Sequence, residues 1–278
     1  MNPASRPWAS FWSRARRRAA PVLGGFILLV LASVLTSAAD LPESSWPMLA
    51  HDAGRSGATR TEIRPPFERK WYRLFPDEGL MAGVQPVVAD GRVFVGSLAG
   101  VVHAIDAETG QDRWTFRADG AVLHTGAAAD GKAFFGCADG KIYALRCADG
   151  TLAWTVPTGA AVWNAPAVHA GTVFVGSRDG RLYAIRADDG KVLWTAATGG
   201  PLLCSPAVDA KAGRVYVGSE DMHVDAFALD DGHPVWQSEK LPGVSMRGYH
   251  PVVAPDGAVL VTVTPAASLD RMASVLLD

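Results

Sequence analysis

Trp114, Trp154, Trp194 and Trp236 stand 40, 40 and 42 residues apart, and two sets of glycines keep the same rhythm. One set is Gly96, Gly136, Gly176 and Gly218, the other Gly110, Gly150, Gly190 and Gly232. Three landmarks in one register define four blocks, 79–118, 120–158, 160–198 and 200–240, with a partial fifth at 243–278. A unit this short cannot enclose a core of its own. The chain must therefore bury apolar surface by stacking copies against one another.

Each block reads as four short strands. In the third copy they are 162–168, 172–177, 181–187 and 192–198, rich in β-branched and aromatic residues. Ala170-Gly171, Asp179-Gly180 and Asp189-Gly190 supply the turns, since glycine accepts the positive φ of a tight hairpin. Hydrophobic residues make up 49% of the chain, and 29 glycines and 18 prolines are spread along it, which suits many short strands and excludes a helical bundle. Both faces of such a sheet are apolar. Similar sheets set around an axis cover both faces, so the expected fold is all-β, a β-propeller of four-stranded antiparallel blades.

Before the repeats, Arg14, Arg16, Arg17 and Arg18 precede an apolar run, 22–35, and small residues at Ser37, Ala38 and Ala39. That order predicts an export signal over 1–39 with cleavage after Ala39, or alternatively an uncleaved signal anchor, and places the protein in the periplasm or cell envelope. No cysteine stands at the cleavage point, so a lipid anchor is not expected. The first 39 residues hold five arginines and no acid, which leaves 21 basic against 28 acidic side chains, a body charge near -7. A nucleic-acid partner recognised through a broad basic face is thereby disfavoured. Cys137, Cys147 and Cys204 form neither a disulfide framework nor a zinc-ligand spacing, and read as small buried side chains.

The stretch from Ala104 to Trp114, AIDAETGQDRW, resembles the tryptophan-docking motif of the pyrroloquinoline-quinone-like propeller repeats, and similar units run from Ala144 to Trp154, Ala184 to Trp194 and Ala226 to Trp236. A lead-in, 40–70, containing Trp46-Pro47-Met48, His51-Asp52 and Arg55-Ser56-Gly57 is similar to that of the same superfamily. The resemblance implies blades docked by Trp71, Trp114, Trp154, Trp194 and Trp236. It leaves function open between quinone-dependent dehydrogenases and non-catalytic scaffolds of the BamB kind.

The blade count is open too. Residues 68–74 read as a lone fourth strand, and 249–254, 258–264 and 273–277 as the first three strands of a fifth blade. Either the early strand completes the last blade and five blades close, or the chain is the front of a seven- or eight-bladed propeller. An open arc would expose a sheet edge and self-associate.

No phosphate-cradling loop, nucleophile elbow or zinc-protease helix is present. Asp221, His223 and Asp225 alternate along one strand, but the repeat alignment makes them substitutions in a polar turn, so no metal site is expected. Ligands of a propeller enter at the mouth of the central channel, where the first strands of the blocks converge. Aligned on Pro86, Pro166, Pro206 and Pro251, the residue two places earlier is Val84, Asn164, Cys204 and Tyr249, with His124 at the matching place of the second block. His124, Asn164, Cys204 and Tyr249, with Trp163, Arg247 and His250 as neighbours, are the candidate ligand-binding residues. A quinone dehydrogenase would imply calcium, a catalytic aspartate and, in many members, adjacent cysteines. No such set is found, so no cofactor is expected, with pyrroloquinoline quinone and calcium as the alternative. A protein partner or an extended polymer of the envelope is the expected ligand.

Overall fold

The computed structural model describes residues 45–59 and 65–265, and the backbone of 273–277. The export segment and its cleavage point lie outside the described residues.

Five antiparallel sheets follow one another along the chain. The first comprises β1 (Val87–Ala89), β2 (Arg92–Gly96), β3 (Val101–Asp106) and β4 (Asp112–Arg117). The second comprises β5 (Ala127–Ala129), β6 (Lys132–Gly136), β7 (Lys141–Arg146) and β8 (Leu152–Pro157), and the third β9 (Ala167–His169), β10 (Thr172–Gly176), β11 (Arg181–Arg186) and β12 (Val192–Ala197). The fourth comprises β13 (Ala207–Asp209), β14 (Arg214–Gly218), β15 (Val224–Ala228) and β16 (Pro234–Gln237). The fifth is three-stranded: β17 (Val252–Val253), β18 (Val259–Val263) and β19 (Ala273–Leu277). The innermost strands neighbour one another in the order β1, β5, β9, β13, β17, and the arc is not closed. Residues 68–74 form no strand among the described residues.

The first strand of each block is shorter than its pattern suggests. Residues 162–168 were expected to be strand, but β9 spans three residues and 162–166 leave the sheet. The departure serves packing between blades. A Cβ on Gly136 would lie 2.3 Å from Val162 Cγ1, so Val162 wedges into the space a glycine leaves on the preceding blade; Val122 does the same on Gly96 and Met246 on Gly218. Of the three turn types, only the first hairpin has positive φ at both central residues, 46° at Ala170 and 71° at Gly171, as at Asp90-Gly91 and Asp130-Gly131. In the other two turns of the third block only Gly180 and Gly190 take it, and in the fourth block Met222 takes the place of the former, at a φ of 72°.

The tryptophans act as latches between blades. Trp114 packs on Phe94 of its own blade, its Nε1 donates to the Cys147 carbonyl of the next (2.9 Å), and its ring covers Gly150, where a Cβ would approach to 2.5 Å. Trp154 repeats this on Phe134, Ala187 and Gly190, and Trp194 on Phe174, Leu229 and Gly232. The turn glycine is thus required twice, for its positive φ and for the closeness of the indole. Trp71 makes the same latch onto the first blade, donating to the Ala107 carbonyl (3.0 Å) over Gly110, although it stands on no strand. Trp236 stacks on Tyr216 of its own blade, and no hydrogen bond from its ring to a following turn occurs among the described residues.

Candidate functional site

The lead-in runs along the inner edges of the blades. Trp46 bridges Val88, Pro47 accepts from Ala128 N–H and Met48 bridges Ala127, in the first two sheets. Further on, Ala53 accepts from Val208 N–H and Gly54 from Val253 N–H, in the fourth and fifth. Arg55 joins the third and fourth. Its Nε donates to the Pro206 carbonyl (3.0 Å), Nη1 to Leu49 (2.8 Å), and Nη2 to Ala165 (3.2 Å) and Pro166 (3.0 Å). The side chain is buried, and Arg55 is held at a φ of 62°, a conformation that costs a non-glycine residue energy and persists only where its surroundings impose it.

No carboxylate bonds to this guanidinium among the described residues. Asp52 is near enough for its field to be felt, but both its oxygens accept from Ser56. Burial without a bonded counter-ion pulls Arg55 down to about 9, against the opposing field of Asp52.

Around this hub the structure places the candidate ligand residues in two groups. Asn164 and Cys204 are interior. Asn164 Nδ2 donates to the Gly176 and Leu202 carbonyls and its Oδ1 accepts from Gly176 N–H, tying the third blade to the fourth. Cys204 is fully buried, and desolvation pushes its thiol up to about 12, so it is protonated and inert. His124, Trp163, Tyr249 and His250 are half-buried and Arg247 is exposed. His124 Nδ1 accepts from Thr125 N–H (2.9 Å), and the Tyr249 carbonyl accepts from Ser205 N–H. Nδ1 of His250 and Nε1 of Trp163 are buried and have no hydrogen-bond partner among the described residues.

Arg178, on the turn between β10 and β11, was not singled out by sequence, yet its Cζ lies 4.2 Å from the Trp163 ring centre, with that of Arg247 at 5.2 Å. The signal existed. Arg178 occupies a turn position that reads Leu98, Ala138 and Glu220 in the other blocks, varying among repeating neighbours as the inner positions do. Arg55 has no counterpart in the repeats and is marked in the sequence only through the lead-in resemblance of Arg55-Ser56-Gly57.

Asp221, His223 and Asp225 make separate contacts: Asp221 accepts from Ser219 Oγ and His223 N–H, His223 Nδ1 meets the Ser238 carbonyl, and Asp225 accepts from Gln237. The acid and imidazole atoms that do converge, on Asp230, Asp231 and His233, belong to an exposed turn.

The two imidazoles near Arg55, His124 and His250, make stability pH-dependent. Burial and the Arg55 charge hold His124 at about 4, with His250 contributing, and the same two causes hold His250 at about 4. In the unfolded chain each protonates near 6.5, so between those values the unfolded state takes up protons that the folded state refuses. Stability is complete above about 6.5 and falls as the pH drops towards 4. Between pH 7 and 5 the expected loss is on the order of 2 kcal/mol per imidazole, read by denaturant unfolding. A His124→Gln/His250→Gln protein should show a much flatter profile over that range; an unchanged profile would remove the two rings from the account.

A stack of tryptophan-latched four-stranded sheets defines the class, a propeller of quinoprotein-type repeats. A family model described as outer membrane protein assembly factor BamB matches residues 50–162 and again 156–271, and the chain belongs to that family. No curated protein matches it significantly. Among solved structures, the quinohemoprotein alcohol dehydrogenase ADHIIG from Pseudomonas putida HK5 superposes with a TM-score of 0.62 at 20% identity, over 84% of this chain and 44% of that one. BamB from Moraxella catarrhalis gives 0.54 at 20% identity, over 66% of this chain and 59% of that one. A europium-containing methanol dehydrogenase gives 0.65 at 16% identity, over 79% and 55%. The chain thus spans between 44% and 59% of the length of these three relatives. The likeness establishes a fold shared with two dehydrogenases and with BamB, the namesake of the family.

Proposed function

We propose that this chain is a non-catalytic binding module of the cell envelope, exported by its N-terminal signal, with the channel-mouth loops presented to a protein partner. The observation that carries the reading is the lead-in lying along the inner edges of the blades, with Arg55 bonded to carbonyls of the third and fourth. A quinone held with calcium needs an open well on the axis and several oxygen ligands gathered at one point. Here the inner edges of the strands are laced by the chain's own backbone, the charge bonded across them is the buried Arg55 cation, and the neighbouring side chains are two imidazoles, an amide engaged with backbone and a thiol. A calcium ion beside Arg55 would meet like charge in a poorly screened interior. These residues do not fit the group.

Rigid blades with loops of varying sequence suit recognition, since a scaffold that does not move presents its loops at little ordering cost. Titration with pyrroloquinoline quinone and calcium, followed by absorbance and by reduction of an artificial dye with alcohols present, tests the reading. The expected outcome is neither saturable binding nor dye reduction. Stoichiometric uptake with turnover would replace this proposal with a dehydrogenase.

A further inference from the structure

Two guanidinium groups share the Trp163 ring. Arg178 reaches it from the β10–β11 turn and Arg247 from the connection between β16 and β17, so two separate loops meet on one indole. Like charges set against one ring repel, and a cation–π contact at an exposed site returns only about 0.5–1 kcal/mol each. Neither guanidinium has a hydrogen bond or an ion pair among the described residues, although both are exposed.

The acids on the adjoining loops are otherwise engaged. Asp179 accepts from Tyr183 O–H (2.6 Å), Gly159 N–H (2.7 Å) and Arg181 N–H (2.9 Å). Glu220 accepts from Ser245 O–H and Met246 N–H, and Asp221 from Ser219 O–H and His223 N–H. Trp163 Nε1 adds a buried donor with no acceptor. The cluster is therefore rich in donors and poor in free acceptors, on a half-buried aromatic platform.

Building on the binding-module reading, we propose that Trp163, Arg178 and Arg247 form a docking site for an acidic peptide segment of a partner protein, its carboxylates taken by the two guanidiniums and its backbone or side chains laid on the indole. Arginine forks match carboxylates with paired hydrogen bonds, and the planar ring offers contact area at low entropic cost. The acidic body makes the site selective. Residues 40–278, with 21 basic against 28 acidic side chains, repel an acidic segment elsewhere, so binding is confined to where unpaired cations stand.

The test is fluorescence anisotropy with a labelled oligoglutamate peptide, using the full chain, with an oligoglutamine peptide and inorganic phosphate as controls. The expected result is saturable binding of oligoglutamate that weakens with salt, no binding of oligoglutamine, and little competition by phosphate at equal charge concentration. Arg178→Gln/Arg247→Gln should weaken it at least about tenfold with an unchanged melting temperature, because neither guanidinium is bonded to the fold. Trp163→Phe, which keeps a ring, should retain most of the affinity, and Trp163→Ala should lose it. Equal binding to the double variant, or none by the parent protein, would overturn the site. Full displacement by phosphate would reduce it to a simple anion site and overturn the peptide assignment. If the peptide fails while the quinone titration stays silent, only this site falls and the module reading stands.

Discussion

Arg55→Met is expected to destabilise the protein by about 4 kcal/mol or more in denaturant unfolding. Methionine fills much of the same volume but donates nothing, which leaves the buried carbonyls of Leu49, Ala165, Pro166 and Pro206 without the side-chain hydrogen bonds that satisfy them. Each such loss in the interior costs roughly 1–3 kcal/mol. Arg55→Lys should rescue little, because one ammonium cannot reach four acceptors on three segments as a planar fork does. The acid response provides an independent readout. The Arg55 charge depresses both His124 and His250, so its removal lets them rise, and the loss of stability between pH 7 and 5 should shrink in Arg55→Met. A variant as stable as the parent, with an unaltered pH profile, would show that the lead-in does not tie the blades together.

The difference between what could be read in the sequence and what could not follows from which atoms make each contact. The blades, their order and the tryptophan latches depend on side chains at repeated positions, so Trp114, Gly150 and Phe94 all leave a mark with a forty-residue period. The early tryptophan, Trp71, could be placed at the fourth-strand position for the same reason, even though it lies on no strand. Arg55 acts through backbone carbonyls, which every residue carries, and its lead-in occurs once; neither fact creates a pattern. The first strands were drawn too long because residues 162–166 are as apolar as a strand, while their work is to wedge Val162 onto Gly136 and to turn the Ala165 and Pro166 carbonyls towards Arg55. Periodicity reports burial, and here burial between blades was indistinguishable from burial within one. Of the ligand candidates, Asn164 and Cys204 are buried inside the arc, with Asn164 bonded to the Gly176 and Leu202 carbonyls, whereas Trp163 is half-buried and Arg247 exposed.

Trp194→Ala should cost about 3–5 kcal/mol, the usual range for deleting a large buried aromatic side chain, and lower the melting temperature by on the order of 10 °C in a domain of this size. Its ring is 9% exposed, is packed between Phe174 and Gly232, and donates to the Leu229 carbonyl (3.1 Å), so its loss opens a cavity and unlatches the third blade from the fourth. Trp163→Ala removes a side chain of equal size that is half-exposed and bonds to nothing through Nε1, and should cost under about 1 kcal/mol. The register can be checked from the other side of the latch. Gly232→Ala would set a Cβ 2.4 Å from the Trp194 ring at a φ of 72°, combining a steric clash with backbone strain. With Trp194 already replaced by alanine the clash has nothing to meet, so the second change should then cost only the strain, about 1 kcal/mol. Such a shortfall from additivity is what a direct contact between blades requires. If the two substitutions simply add, or if Trp163→Ala proves as damaging as Trp194→Ala, the indoles are not the latches, and the blades are held in register by something else.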